Sequence, residues 1–252
     1  MDPKLAIGAG VVVSAAATGY GVSSWLTQEP NKVHIKNAGT TEGRLNFDFQ
    51  HHFVDASDTE NDKWWDWAFK SRYSGKKVLS TQFKSDIGNG SQLKSKCLTA
   101  YSQDIKTEIH PNQEANDKTQ YEKDIWTFCS IEGDKPITIE EAGDEEPDFK
   151  TGGTNANNFG VTNKKHVIST KDERNNKFWE IQAQAFFKPT DGLGSKATDA
   201  SSEFSALYKH TDEKKKTVAE LKKTCEDRYK TTSDTNKDKE TFRFCSLKGK
   251  QD

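Results

Sequence analysis

The chain has 252 residues, of which 30% are charged and 32% hydrophobic, with a mean hydropathy of −0.93 and a net charge of −2. So polar a chain lacks the apolar material for one large core and favours small modules with thin ones. Its balanced charge argues against a nucleic-acid partner, since phosphate contacts need a basic surplus and the sole lysine run is Lys214–Lys216.

Residues 5–26, LAIGAGVVVSAAATGYGVSSWL, form a run of 22 without a charge. At 1.5 Å of rise per residue this spans a hydrocarbon core of roughly 30 Å. Lys4 precedes it, Gln28-Glu29-Pro30 follows, and Trp25 stands where an interfacial aromatic belongs. Residues 1–26 therefore read as a signal anchor, single-pass, with the C-terminal remainder outside the cell. The alternative is a secretory signal cleaved after Ala15-Ala16-Ala17. Ala6, Gly10, Ser14 and Thr18 recur every four residues, a small-residue face that would let two membrane helices approach as a homodimer. Residues 27–50 are polar and read as a stalk.

An internal repeat follows. HFVDASDTENDKWW, from His52, aligns without a gap on HVISTKDERNNKFW, from His166. His52/His166, Asp58/Asp172, Asn61/Asn175, Lys63/Lys177 and Trp65/Trp179 are identical, and Trp64/Phe178 are both aromatic. Leu-Lys-x-x-Cys-x-x-x-Tyr then occurs at Leu93–Cys97–Tyr101 and again at Leu221–Cys225–Tyr229. Phe-Cys-Ser closes each half at Phe128-Cys129 and Phe244-Cys245. Only the spacers differ: Trp65 to Cys97 is 32 residues and Trp179 to Cys225 is 46, whereas Cys97 to Cys129 is 32 and Cys225 to Cys245 is 20. The expected organisation is a helical module at 51–133, an acidic Gly/Asn-rich linker at 134–160, and a second helical module at 161–249.

The fold class expected is all-α, with three short helices per module. The first crowds aromatics together, in Asp62–Tyr73 and Asp172–Phe187. The second places Leu93, Cys97 and Tyr101, or Leu221, Cys225 and Tyr229, on one face. The third runs into the last cysteine, with Trp126 and Phe128, or Phe242 and Phe244, beside it. Within the linker the nine residues Glu140–Asp148 hold six carboxylates and cannot bury enough apolar surface to offset ordering. Four cysteines allow three pairings. Cys97–Cys129 and Cys225–Cys245 keep the modules independent, and each staple would contribute on the order of 3 kcal/mol in an oxidising exterior. The alternative is four buried thiols.

These features resemble the large paralogous families of uncharacterised membrane-anchored surface proteins of hemotropic mycoplasmas. Those share a glycine- and alanine-rich membrane segment, Trp-containing helices, an L-K-x-x-C phrase (Leu93–Cys97, Leu221–Cys225) and a closing [W/F]-x-F-C-S. Trp126-Thr127-Phe128-Cys129 and Phe242-Arg243-Phe244-Cys245 match the last. The resemblance implies surface display, antigenic variability and no established catalytic residue.

The residues that could carry chemistry read mostly as structural. His51-His52 with Asp48, Asp55 and Asp58 could hold a metal, but His52 and Asp58 recur as His166 and Asp172 and so read as parts of the module. Asp234-x-Asn236-x-Asp238 opens like a calcium loop, yet has Lys239 where glycine is needed and Cys245 where glutamate is needed. Trp64/Trp65 and Phe178/Trp179 read as core rather than as a sugar platform. No enzyme activity and no cofactor are expected. The expected function is a membrane-anchored surface protein for host-facing binding or antigenic display; the alternative is a secreted or anchored hydrolase.

Overall fold

The computed structural model describes residues 28–84, 87–110, 116–143, 149 and 155–249. The expected membrane segment with its dimer face, and much of the acidic linker, lie outside the described residues. Among the described residues no helix is long and apolar enough to cross a membrane. The described chain is mostly helical, with single antiparallel bridges in place of regular strands.

In chain order the helices are α1 (Leu45–Asp48), α2 (Asp62–Ala68), α3 (Gly90–Tyr101), α4 (Asn116–Cys129), α5 (Ile139–Ala142), α6 (Phe159–Thr162), α7 (Asn176–Phe186), α8 (Glu203–Tyr208), α9 (Val218–Tyr229) and α10 (Thr235–Cys245). The three helices expected in the first module are α2, α3 and α4, and those of the second are α7, α9 and α10. α3, α9 and α10, and the turns that lead into α2 and α7, begin where a side chain satisfies free backbone N–H groups. Asp58 accepts from Glu60 N before α2, and Asp172 from Arg174 N before α7. Asn89 accepts from Gln92 N before α3, and Thr217 from Glu220 N before α9. Beyond Ala68 the first helix loosens into a π turn, Phe69–Tyr73.

Both polar segments expected to lie outside the modules are in part built into them. Residues 27–50 are not a free stalk, because Ile35, Leu45 and Phe49 are buried. Residues 134–160 are not wholly a linker either, since Ile139 and Phe159 are buried. The reason is a backbone clip that sequence polarity hides. Asn61 Oδ1 accepts from Val33 N while its Nδ2 donates to Val33 O and Asp55 O. Asn175 repeats the pattern with Ile137 N, Ile137 O and Ser169 O. Each fully buried asparagine thus sews a preceding edge onto its module. The bridges match as well: His34 with Val54 and Thr138 with Ile168, Arg44 with Asp104 and Asn158 with Thr232, Phe53 with Ser130 and Val167 with Ser246.

The centre of each module is the cysteine–tyrosine face of its second helix. Cys97 is bonded to Cys129 and Cys225 to Cys245, with Cα atoms 5.7 and 5.8 Å apart. The expected core residues Trp64, Trp65, Leu93, Tyr101, Trp126, Phe128, Phe178, Trp179, Leu221, Tyr229, Phe242 and Phe244 are all buried. Tyr101 Oη lies 2.9 Å from Val54 O and 3.2 Å from Cys129 O, while Tyr229 Oη lies 3.0 Å from Ile168 O and 2.8 Å from Cys245 O. Burial pushes both phenols well above their ordinary pKa, so each remains a donor.

Tyr101→Phe and Tyr229→Phe should each lose about 1–2 kcal/mol of stability, because removing the hydroxyl leaves Val54 O or Ile168 O without its donor, while Cys129 O and Cys245 O keep the backbone N–H of Val54 and Ile168. Denaturant titration of the two variants checks this. A neutral result at either site would mean that its hydroxyl does not tie the two segments together.

Candidate functional site

The repeated histidines do different work from the rest of the repeat. Both reach out of their own module into the other. His52 is buried and stacks on Phe178 of α7, with ring centroids 4.5 Å apart and planes 10° from parallel. Its Nδ1 meets Glu132, and its Nε2 lies 2.8 Å from Gln182 Oε1. Gln182 Nε2 donates to Phe244 O at 2.8 Å, which turns the amide oxygen toward the imidazole. An amide oxygen only accepts, so His52 Nε2 donates. His166 Nδ1 lies 2.8 Å from His110 Nε2, and His110 Nδ1 lies 2.9 Å from Glu122.

The spacers that differ between the repeats supply the remaining contacts. The longer Cys97–Cys129 spacer carries His110. The longer Trp179–Cys225 spacer carries Lys196, whose ammonium sits 4.0 Å from the centre of the Phe47 ring. Near it Arg243 Nη2 meets Glu42 Oε1 at 2.9 Å. The closing turn of the second module packs on α1: a Cβ on Gly249 would lie 2.6 Å from Asp48 Cβ, and its φ of +65° further favours glycine. The two modules therefore share a polar seam and are not beads on a string.

Asp48 lies within this seam. Its Oδ2 accepts from Gly43 N at 2.6 Å, while its buried Oδ1 has no partner among the described residues. Burial lifts its pKa from 3.8 to about 6, against the pull of Gly43 N, Lys196 and Arg243. His51, which the sequence placed beside His52, lines a separate groove of about 280 Å³ with His34 and Lys188. Burial first, and then the charges of His34, His52, Lys188 and Lys196, push His51 down to about 3, so it stays neutral.

The structure does not gather His51, His52, Asp48, Asp55 and Asp58 around one point. Asp58 caps a turn and pairs with Lys36, Asp55 accepts from Ser57, and His52 faces the seam. Among the described residues no group of three or more His, Cys, Asp and Glu side chains is placed to hold a metal. Asp234 caps α10, and Asp238 pairs with Arg228 inside the second module. Gln182, Glu132, His110 and Glu122 escape sequence reading because none lies in a repeated phrase. Their one signal is the His52/His166 identity, which marks a conserved position in the repeat but names no partner.

A second, larger cleft of about 430 Å³ opens on the first module beside Arg72. The Arg72 guanidinium lies 5.2 and 5.1 Å from the Trp64 and Trp67 rings, donates to Ser130 O at 2.6 Å, and lies 3.3 Å from Glu29. Trp64 Nε1 also donates to Glu29, at 2.8 Å. The expected core aromatics therefore also fix where the chain enters the module.

The raised pKa of Asp48 gives a pH dependence of defined sign. The folded carboxyl holds its proton more tightly than the unfolded one, so its contribution favours folding below about pH 4 and is lost as pH rises through about 6. Asp48→Asn should therefore gain roughly 2–3 kcal/mol at pH 7 and only about 0.5 kcal/mol at pH 4, by the free-energy equivalent of that shift. Denaturant midpoints at the two pH values check this; an equal effect at both would assign the change to packing instead of charge.

Comparison with family models, with curated proteins and with solved structures finds no match for this chain.

Proposed function

We propose that this is a membrane-tethered surface protein, held by residues 5–26 and displaying its disulfide-stapled helical modules outside the cell for host contact or antigenic display. The observation that carries this reading is the use of every cysteine in a bond internal to one module. Closing loops of 32 and 20 residues stabilises each module by about 3–4 kcal/mol, and such bonds persist in an oxidising exterior, not in a reducing cytosol. The uncharged run at 5–26 supplies a route to that exterior, and the resemblance to surface proteins of hemotropic mycoplasmas points the same way.

A hydrolase would need an accessible base. The histidine–carboxylate pairs of the seam, His52–Glu132 and His110–Glu122, are buried and spend both ring nitrogens on protein partners. Their geometry serves cohesion better than proton transfer to a substrate.

Protease shaving of intact expressing cells, followed by peptide mapping without reduction, tests the proposal. Peptides of both modules should be released, with Cys97 linked to Cys129 and Cys225 to Cys245. Reduced cysteines in freshly alkylated cells, or resistance of the chain to shaving until lysis, would overturn it.

A further inference from the structure

The cleft beside Arg72 carries an uneven charge. Arg72, Lys76, Lys77 and Lys123 line it against Asp124 and Asp134. Asp124 is turned inward, accepting from Leu79 N, Ser80 N and Ser80 Oγ at 2.7–3.1 Å. Arg72 is committed to Ser130 O and Glu29. Lys76, Lys77 and Lys123 are exposed, and none of their ammonium groups pairs with a carboxylate among the described residues. The cleft thus presents three uncommitted cations and one exposed acid, Asp134.

The same wall holds the incoming chain. Glu29 is pinned by Trp64, Arg72 and Lys32. It stands three residues beyond Leu26, the last residue of the uncharged run. Three extended residues reach about 10 Å. A chain leaving a bilayer at Leu26 therefore keeps the Arg72 wall close to the headgroups. An anionic surface acts on those lysines that come within a Debye length of about 8 Å of its headgroups.

We propose that the face bearing Lys76, Lys77 and Lys123 lies against the membrane from which the chain emerges and binds the phosphate groups of anionic lipid headgroups. This rests on residues 5–26 remaining in the bilayer. The short tether is what favours a lipid surface over a soluble phosphate or sulfate: it presents headgroups to the cleft at high effective concentration without a second binding partner.

The test uses the full chain reconstituted into vesicles of phosphatidylcholine alone or mixed with phosphatidylglycerol. A brief pulse of an amine-reactive reagent is followed by peptide mapping. Alkaline extraction first reports on the tether: release of the chain sinks the tether and this proposal with it. With the chain retained, labelling of Lys76, Lys77 and Lys123 should fall several-fold in the anionic vesicles, while labelling of exposed Lys214 in the second module stays constant. Equal labelling in both vesicle types would overturn the lipid contact and leave the tether standing. Equivalent protection by inorganic phosphate in neutral vesicles would overturn the lipid source in favour of a free anion.

Discussion

In each module a single tyrosine hydroxyl sits between two carbonyls that belong to different stretches of chain. One comes from the segment entering the first helix, Val54 or Ile168, and the other from the cysteine that ends the third, Cys129 or Cys245. Four residues earlier on the same helix a cysteine bonds that terminal cysteine. One helical face thus grips the end of the module covalently and its beginning by hydrogen bonding. The aromatic core packs around this point, and the asparagine clip adds the outer edge. A core this thin tolerates little slack, which is why the tie uses a disulfide and a fully buried phenol together.

Divergence between the repeats is concentrated where the modules meet. Trp65 and Trp179 occupy the same place in the core, yet Trp179 Nε1 donates to Ser169 O while Trp65 Nε1 has no partner among the described residues. The unequal spacers bring His110 and Lys196 to the seam, and the seam then fixes His52, His166 and Asp48. A duplicated module has two copies of one surface, and two such copies are seldom complementary. The length changes in the spacers supply the side chains that make these two complementary. The cost is visible in Asp48, a carboxyl whose pKa burial lifts to about 6, and in Arg243, whose Nε lacks a partner among the described residues.

Much of this was legible from the residues. Helix identity followed from the four-residue stepping of Leu93, Cys97 and Tyr101, and the staple from its recurrence at Leu221, Cys225 and Tyr229. Both signals are local, set by the pitch of a helix and the reach of a disulfide. The seam was not legible, since its bonds join residues far apart in sequence, such as His52 and Gln182, through positions without a repeat counterpart. The edges at Val33 and Ile137 were missed for another reason. They are short and flanked by polar residues, and what holds them is one asparagine amide apiece, which gives no hydrophobic period to detect. The cleft beside Arg72 was hidden because its lysines come from two separate segments.

The placement of the disulfides also governs how the protein would carry mechanical load. Tension applied between Glu29 and the far end of the chain passes through the asparagine clip and the seam, and finds neither disulfide as its first resistance. The early give is therefore in reversible bonds. Once those yield, the chain enclosed between Cys97 and Cys129, and between Cys225 and Cys245, cannot be paid out, because the load crosses each loop through its bond. At about 3.4 Å per residue, loops of 32 and 20 residues withhold roughly 175 Å of contour length. The described chain combines soft joints with hard stops: it can loosen at the seam and at the entry point while the tyrosine-centred cores stay closed.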